Sequence, residues 1–111
     1  MATFEIDKAT NGEYFFRFKA SGMDEIILRS EQYKMKQGCE NGIASVKANA
    51  PLEARYEKRT STNNKYYFNL KAGNGEIIAT SRLYETTPKR DEGISLVKEQ
   101  APTATIQDLT K

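Results

Sequence analysis

The chain has no histidine in 111 residues. That removes the side chain that most often serves as a base near neutral pH and as a metal ligand. Serine–histidine and cysteine–histidine nucleophile systems are excluded with it. There is one cysteine, Cys39, so no disulfide can close within the chain and no secreted disulfide framework exists. One cysteine without histidine is also too few soft ligands for a zinc site. No apolar run approaches the roughly 20 residues of a membrane helix. The first residues, Met1-Ala2-Thr3-Phe4, lack the charged-then-apolar pattern of a secretory signal. A cytoplasmic location is the default expectation. A dominant charge sign is missing too. The net charge is +2; residues 1–51 carry seven basic and seven acidic side chains, and the remainder ten and eight. A dedicated duplex-DNA binder shows a stronger basic bias, so a solvated surface of mixed charge is the simpler reading.

What is present is a sequence written twice. Tyr14-Phe15-Phe16 recurs as Tyr66-Tyr67-Phe68, Lys19-Ala20 as Lys71-Ala72, and Glu25-Ile26-Ile27 as Glu76-Ile77-Ile78. Ser30 and Tyr33 recur as Ser81 and Tyr84. Gly42-Ile43, Val46-Lys47 and Ala50-Pro51 recur as Gly93-Ile94, Val97-Lys98 and Ala101-Pro102. One copy of about 50 residues is marginal alone, so two copies are expected to share a core. Leu52-Glu53 between them has no linker composition. We read residues 1–111 as one domain: repeats at about 4–51 and 54–102, then a strand-like tail at 103–111.

Within the first repeat, Phe4 to Lys8 alternates apolar and charged residues, as a strand does. Asn11-Gly12 marks a tight turn. Glu13 to Ala20 is the clearest strand: Tyr14, Phe16, Phe18 and Ala20 share one face, and Phe15, Arg17 and Lys19 the other. A turn at Ser21-Gly22-Met23-Asp24 leads to a third strand, Glu25 to Ser30. From about Lys34 to Asn49, Met35, Cys39, Ile43 and Val46 form a helical stripe, which Pro51 ends. The recurrence of Gly42 as Gly93 points to a packing cause, such as close approach of helix to sheet. The second repeat follows the same order, with strands at Ala54 to Arg59, Lys65 to Ala72 and Glu76 to Arg82. Its helix is expected to start with Thr87 as N-cap and Pro88 at the first helical position. The fold class is α+β: two tandem β-β-β-α repeats forming one shared antiparallel-type sheet, both helices on one face. Each helix is expected to hand the chain to a strand completing the other repeat's sheet. The tail would then lie beside Phe4 to Lys8.

The run Asn-Gly-Glu-Tyr-x-Phe-x-Phe-Lys-Ala at 11–20, Glu-Ile-Ile-x-x-Ser-x-x-Tyr at 25–33 and Cys-Glu-Asn-Gly-Ile-Ala-Ser-Val-Lys-x-Asn-Ala at 39–50 resembles the YegP-like family of uncharacterised small bacterial proteins. The resemblance covers both repeats. The second copy departs from the pattern at Ser95-Leu96, where the first has Ala44-Ser45, and it lacks the cysteine. The resemblance implies tandem β-β-β-α units with strands exchanged between repeats. It implies no activity, substrate or catalytic residue.

Each chemical motif also has a plainer reading. Cys39 on the apolar stripe reads as buried filler. Asp24 and Glu25 are adjacent on a strand and diverge, so they do not form an acid–base pair. Gly73-Asn74-Gly75 leads into a strand, whereas phosphate loops lead into a helix. Ser30, Ser81, Tyr33 and Tyr84 recur as scaffold residues do. No cofactor, metal or catalytic constellation is indicated, and the reading leans away from an enzyme. The lead is the sheet face without helices. It would present Phe15, Arg17, Lys19, Ile27 and Arg29, with Tyr67, Asn69, Lys71, Ile78 and Thr80. The function expected is non-catalytic binding of a protein partner or self-association. The alternative is weak binding of single-stranded nucleic acid, with Phe15 and Tyr67 stacking bases and Arg17, Lys19 and Lys71 on phosphates.

Overall fold

A computed structural model describes residues 1–22 and 25–111. Met23 and Asp24, within the expected turn after Ala20, lie outside the described residues. Strands β1 (Thr3–Lys8), β2 (Tyr14–Lys19) and β3 (Ile26–Ser30) precede helix α1 (Lys36–Asn49). A 3-10 turn (Glu53–Arg55) leads to β4 (Tyr56–Thr60), β5 (Tyr66–Lys71), β6 (Ile77–Ser81) and helix α2 (Thr87–Gln100). A second 3-10 turn (Ala101–Thr103) leads to β7 (Thr105–Asp108). No helix among the described residues is long and apolar enough to cross a membrane.

All seven strands form one sheet in the order β4-β5-β6-β3-β2-β1-β7. The pairings are antiparallel except β1 with β7, which run parallel. α1 thus delivers the chain to β4, beside β5 of the second half. α2 delivers it to β7, beside β1 of the first. The strand exchange expected from the tail sequence is present.

The halves meet at β3 and β6, where Arg29 pairs with Thr80, Leu28 with Ser81 and Ser30 with Ala79. Arg29 and Thr80 occupy the same position of the repeat, so a pseudo-two-fold axis passes between them. Phe4, Ile6, Phe16, Phe18, Leu28, Phe68 and Leu70 point to one side and join Cys39, Ile43, Val46, Ile94 and Val97 in one buried cluster. The helices approach that side closely. A Cβ on Gly42 would lie 3.0 Å from Phe16, and one on Gly93 3.4 Å from Phe68.

The rings of Tyr33 and Tyr84 account for these glycines. Each tyrosine bridges back to β2 or β5, Tyr33 to Tyr14 and Tyr84 to Tyr66, and lies under the following helix. A Cβ at residue 42 would meet the Tyr33 hydroxyl at 2.6 Å, and one at residue 93 would crowd the Tyr84 ring. The serines are scaffold as well. Ser30 Oγ accepts from the Phe16 N–H at 2.9 Å and donates to the Glu31 carbonyl at 2.7 Å. Ser81 repeats this with Phe68 and Arg82. Each hydroxyl pairs a buried N–H that would otherwise cost free energy.

Three local expectations are corrected. Met35 precedes α1 and is 71% exposed, because the helix begins only at Lys36. The N-cap of α2 is Thr86, whose side chain accepts from the Lys89 N–H, and not Thr87. Pro88 therefore sits at the second helical position, where no intrahelical donor is lost. Third, Ile27 and Ile78 are buried in the core and do not face away from the helices. A β-bulge shifts the register between Phe18 and Lys19, and again between Leu70 and Lys71. The extra residue in each third strand turns inward. Ile26 and Ile77 take the helix-free face instead, paired with Lys19 and Lys71.

Candidate functional site

The seven residues proposed from sequence lie on one surface. Phe15, Arg17 and Lys19 alternate with the core residues Phe16 and Phe18 of β2, Arg29 pairs with Arg17 across β3, and Tyr67, Asn69 and Lys71 alternate with Phe68 and Leu70 of β5. Cross-strand pairing then builds a transverse row of six: Glu5, Arg17, Arg29, Thr80, Asn69 and Glu57. The pseudo-two-fold axis cuts this row at its centre.

The row is bonded within each half. Arg17 Nε donates to Glu5 at 2.7 Å and its Nη2 to Asp7 at 3.0 Å. Lys19 lies 3.5 Å from the same Glu5 oxygen. In the other half, Asn69 Nδ2 donates to Glu57 at 3.0 Å and its carbonyl accepts from Thr80 Oγ1 at 2.8 Å. Lys71 donates to Glu57 at 2.9 Å. Asn69 is buried by this network. The Arg17 hydrogen bond holds the Glu5 carboxyl below its ordinary range despite partial burial. Lys71, then Asn69, do the same for Glu57.

Phe15 is not an open platform. It is only 6% exposed, because the Arg29 guanidinium lies 4.2 Å over its ring and Arg17 lies at 5.6 Å. Of the two expected stacking residues only Tyr67 stays half-buried. The three expected phosphate contacts, Arg17, Lys19 and Lys71, each face a carboxylate. The face exposes two apolar side chains, Ile26 at 38% and Ile77 at 45%, one in each half, together with Arg29 and Thr80 at the axis.

Sequence reasoning missed Glu5, Glu57, Ile26 and Ile77. The alternation of β1 carried a signal for Glu5, which stands opposite Phe4 and Ile6, but its pairing with Arg17 needs the strand register. The isoleucines were hidden by the bulges. Elsewhere, Cys39 is fully buried in the core, and burial pushes its thiol up to about 11. Gly73-Asn74-Gly75 forms the β5–β6 turn, closed by Gly75 N–H to the Ala72 carbonyl at 2.9 Å. Among the described residues no three acidic or cysteine side chains gather as a metal site.

Known proteins with this sequence pattern share the fold. A UPF0339 protein of Shewanella oneidensis is 50% identical over 107 residues, 96% of each chain. The UPF0339 protein YegP of Escherichia coli K12 is 47% identical over 107 residues, again 96% of each. The solution structure of a Shewanella oneidensis UPF0339 protein superposes with a TM-score of 0.91 at 48% identity, covering 97% of this chain and 91% of that one. That of Escherichia coli YegP, described as a protein of unknown function, gives 0.90 at 44%, covering 97% and 92%. Residues 9–57 and again 61–108 match the family described as "Domain of unknown function (DUF1508)". The chain therefore belongs to the DUF1508 family and carries its domain twice.

Proposed function

We propose that this protein is a non-catalytic binding module that associates, with a second copy of itself or another protein, through the helix-free face of its sheet. The supporting observation is the pair of exposed isoleucines, Ile26 and Ile77, on the two central strands of a face with no layer over it. They lie on opposite sides of the pseudo-two-fold axis, so a self-complementary contact between two such faces would engage both. Glu5 and Glu57 pair with Arg17, Lys19 and Lys71, and Arg29 lies over the Phe15 ring. Phe15, Arg17, Lys19, Arg29, Tyr67, Asn69 and Lys71 form the body of the face.

The test is backbone amide NMR over a wide range of protein concentration. Shifts that grow with concentration at β2, β3, β5 and β6, and vanish in Ile26→Lys/Ile77→Lys, are expected. Shifts that stay constant throughout would count against self-association. A mixed-sequence single-stranded oligonucleotide added at low and moderate salt supplies the other arm. Shifts at residues 15–19 and 67–71 that weaken with salt would favour the nucleic-acid reading instead.

A further inference from the structure

The helix side of the sheet carries a cleft in the second half whose apolar lining the first-half sequence does not repeat. The cleft, of about 420 Å3, opens between α2, the β6–α2 loop and the start of β3. Its walls include Ile27, Leu83, Leu96 and Tyr84, with Gly93 beside the tyrosine. This volume falls in the lower part of the range for small-molecule pockets, roughly 300–1,000 Å3.

The pseudo-two-fold axis supplies an internal comparison. Carried into the other half, Ile27, Tyr84 and Gly93 become Ile78, Tyr33 and Gly42, which are unchanged residue types. Leu83 becomes Gln32 and Leu96 becomes Ser45. The residues that build the shared scaffold are the same in both copies. Those that make the wall apolar are found in one. Leu83 is nearly half exposed, and Leu96 is partly buried at the edge of the core cluster, where the first half carries a serine.

The charges around the cleft argue about its occupant. Arg82 pairs with Glu25, and Glu85 with Lys65. The remaining lining charges are Lys89 and Glu92, one of each sign. The mouth is therefore balanced and selects neither an anion nor a cation. The Thr86 hydroxyl is engaged as acceptor in capping α2, and the Tyr84 hydroxyl is the neutral hydrogen-bonding group of the wall that no hydrogen bond among the described residues uses.

We propose that this cleft is a binding site for a small uncharged organic molecule with an apolar body of one or two rings and a single polar atom placed for the Tyr84 hydroxyl. The site is separate from the helix-free face and specific to the second half of the chain.

Indole, neutral and with one N–H, is the probe. Titrated into the full chain and followed by amide and methyl NMR, it is expected to give saturable shifts at Leu83, Gly93 and Leu96. The first-half positions 32, 33, 42 and 45 should stay still. Leu83→Gln/Leu96→Ser installs residues that the same backbone already carries in the first half. That variant should keep its dispersed spectrum and bind indole about tenfold more weakly, as lost apolar contact requires. Indole-3-acetate should bind more weakly than indole. Non-saturating shifts, equal shifts in both halves, or undiminished binding by the variant would overturn the site. Equal or tighter binding of indole-3-acetate would overturn the uncharged class of ligand.

Discussion

Gly42 and Gly93 are glycine because tyrosine recurs at positions 33 and 84. The sequence shows the recurrence of both, and it suggests that something packs closely there. It does not show what. That depends on a ring nine residues earlier folding under the helix, a contact fixed only once Tyr33 bridges to Tyr14. An alanine at residue 42 gains about 1 kcal/mol of helix propensity. It must also displace the Tyr33 hydroxyl and meet Phe16 at 3.0 Å. Overpacking of this kind costs about 1–3 kcal/mol and outweighs the gain where two rings must move. Gly42→Ala should lower stability to urea unfolding, and Tyr33→Phe in the same chain should recover part of the loss. A neutral or stabilising Gly42→Ala would mean that Tyr33 does not occupy that space.

At the scale of elements, the strands and helices were legible from alternation and helical spacing, with ends displaced by a residue or two. The faces were legible for β2 and β5, and for Arg29 and Thr80 of β3 and β6, but not for the isoleucines at the start of those two strands. Period-two reasoning assumes an unbroken ladder, and one inserted residue inverts it. Ile-Ile in both third strands hides the insertion, because either isoleucine suits the core. The edge strand β7 shows what tertiary contacts add. Its backbone is tied to β1, and its Asp108 accepts from Lys36 Nζ at 2.8 Å, with Lys47 Nζ reaching the Ala104 carbonyl at 2.8 Å. Lys36 and the Thr110 hydroxyl and N–H hold the Asp108 carboxyl far below its ordinary 3.8. A carboxyl depressed by folding contributes stability that is fully present above its unfolded pKa and is lost as pH falls through the folded one. The stability difference between the natural chain and Lys36→Met should therefore be constant above about pH 4 and shrink at lower pH. A difference that grows on acidification would contradict the Lys36–Asp108 link.

On the scale of the whole molecule, the duplication made the architecture readable: two copies each marginal alone, and a tail with no partner of its own. The axis through Arg29 and Thr80 was not readable, since it depends on which residues pair between β3 and β6. Nor was the covering of Phe15 by Arg29, because both sit on strands whose faces were known but whose neighbours were not. These pairings turn two repeats into one structure. The core residues of both halves, Phe16 with Phe68 and Val46 with Val97, lie in one cluster, and the sheet of the first half ends on β7, the strand that follows the helix of the second. Neither half can then lose its packing while the other keeps it. The most direct measurement is the loss of native amide signals by NMR along a urea series, residue by residue. One midpoint shared by β1–β3 and β4–β6 is expected. Two separated midpoints, with one half still native while the other has unfolded, would contradict the shared core on which the account rests.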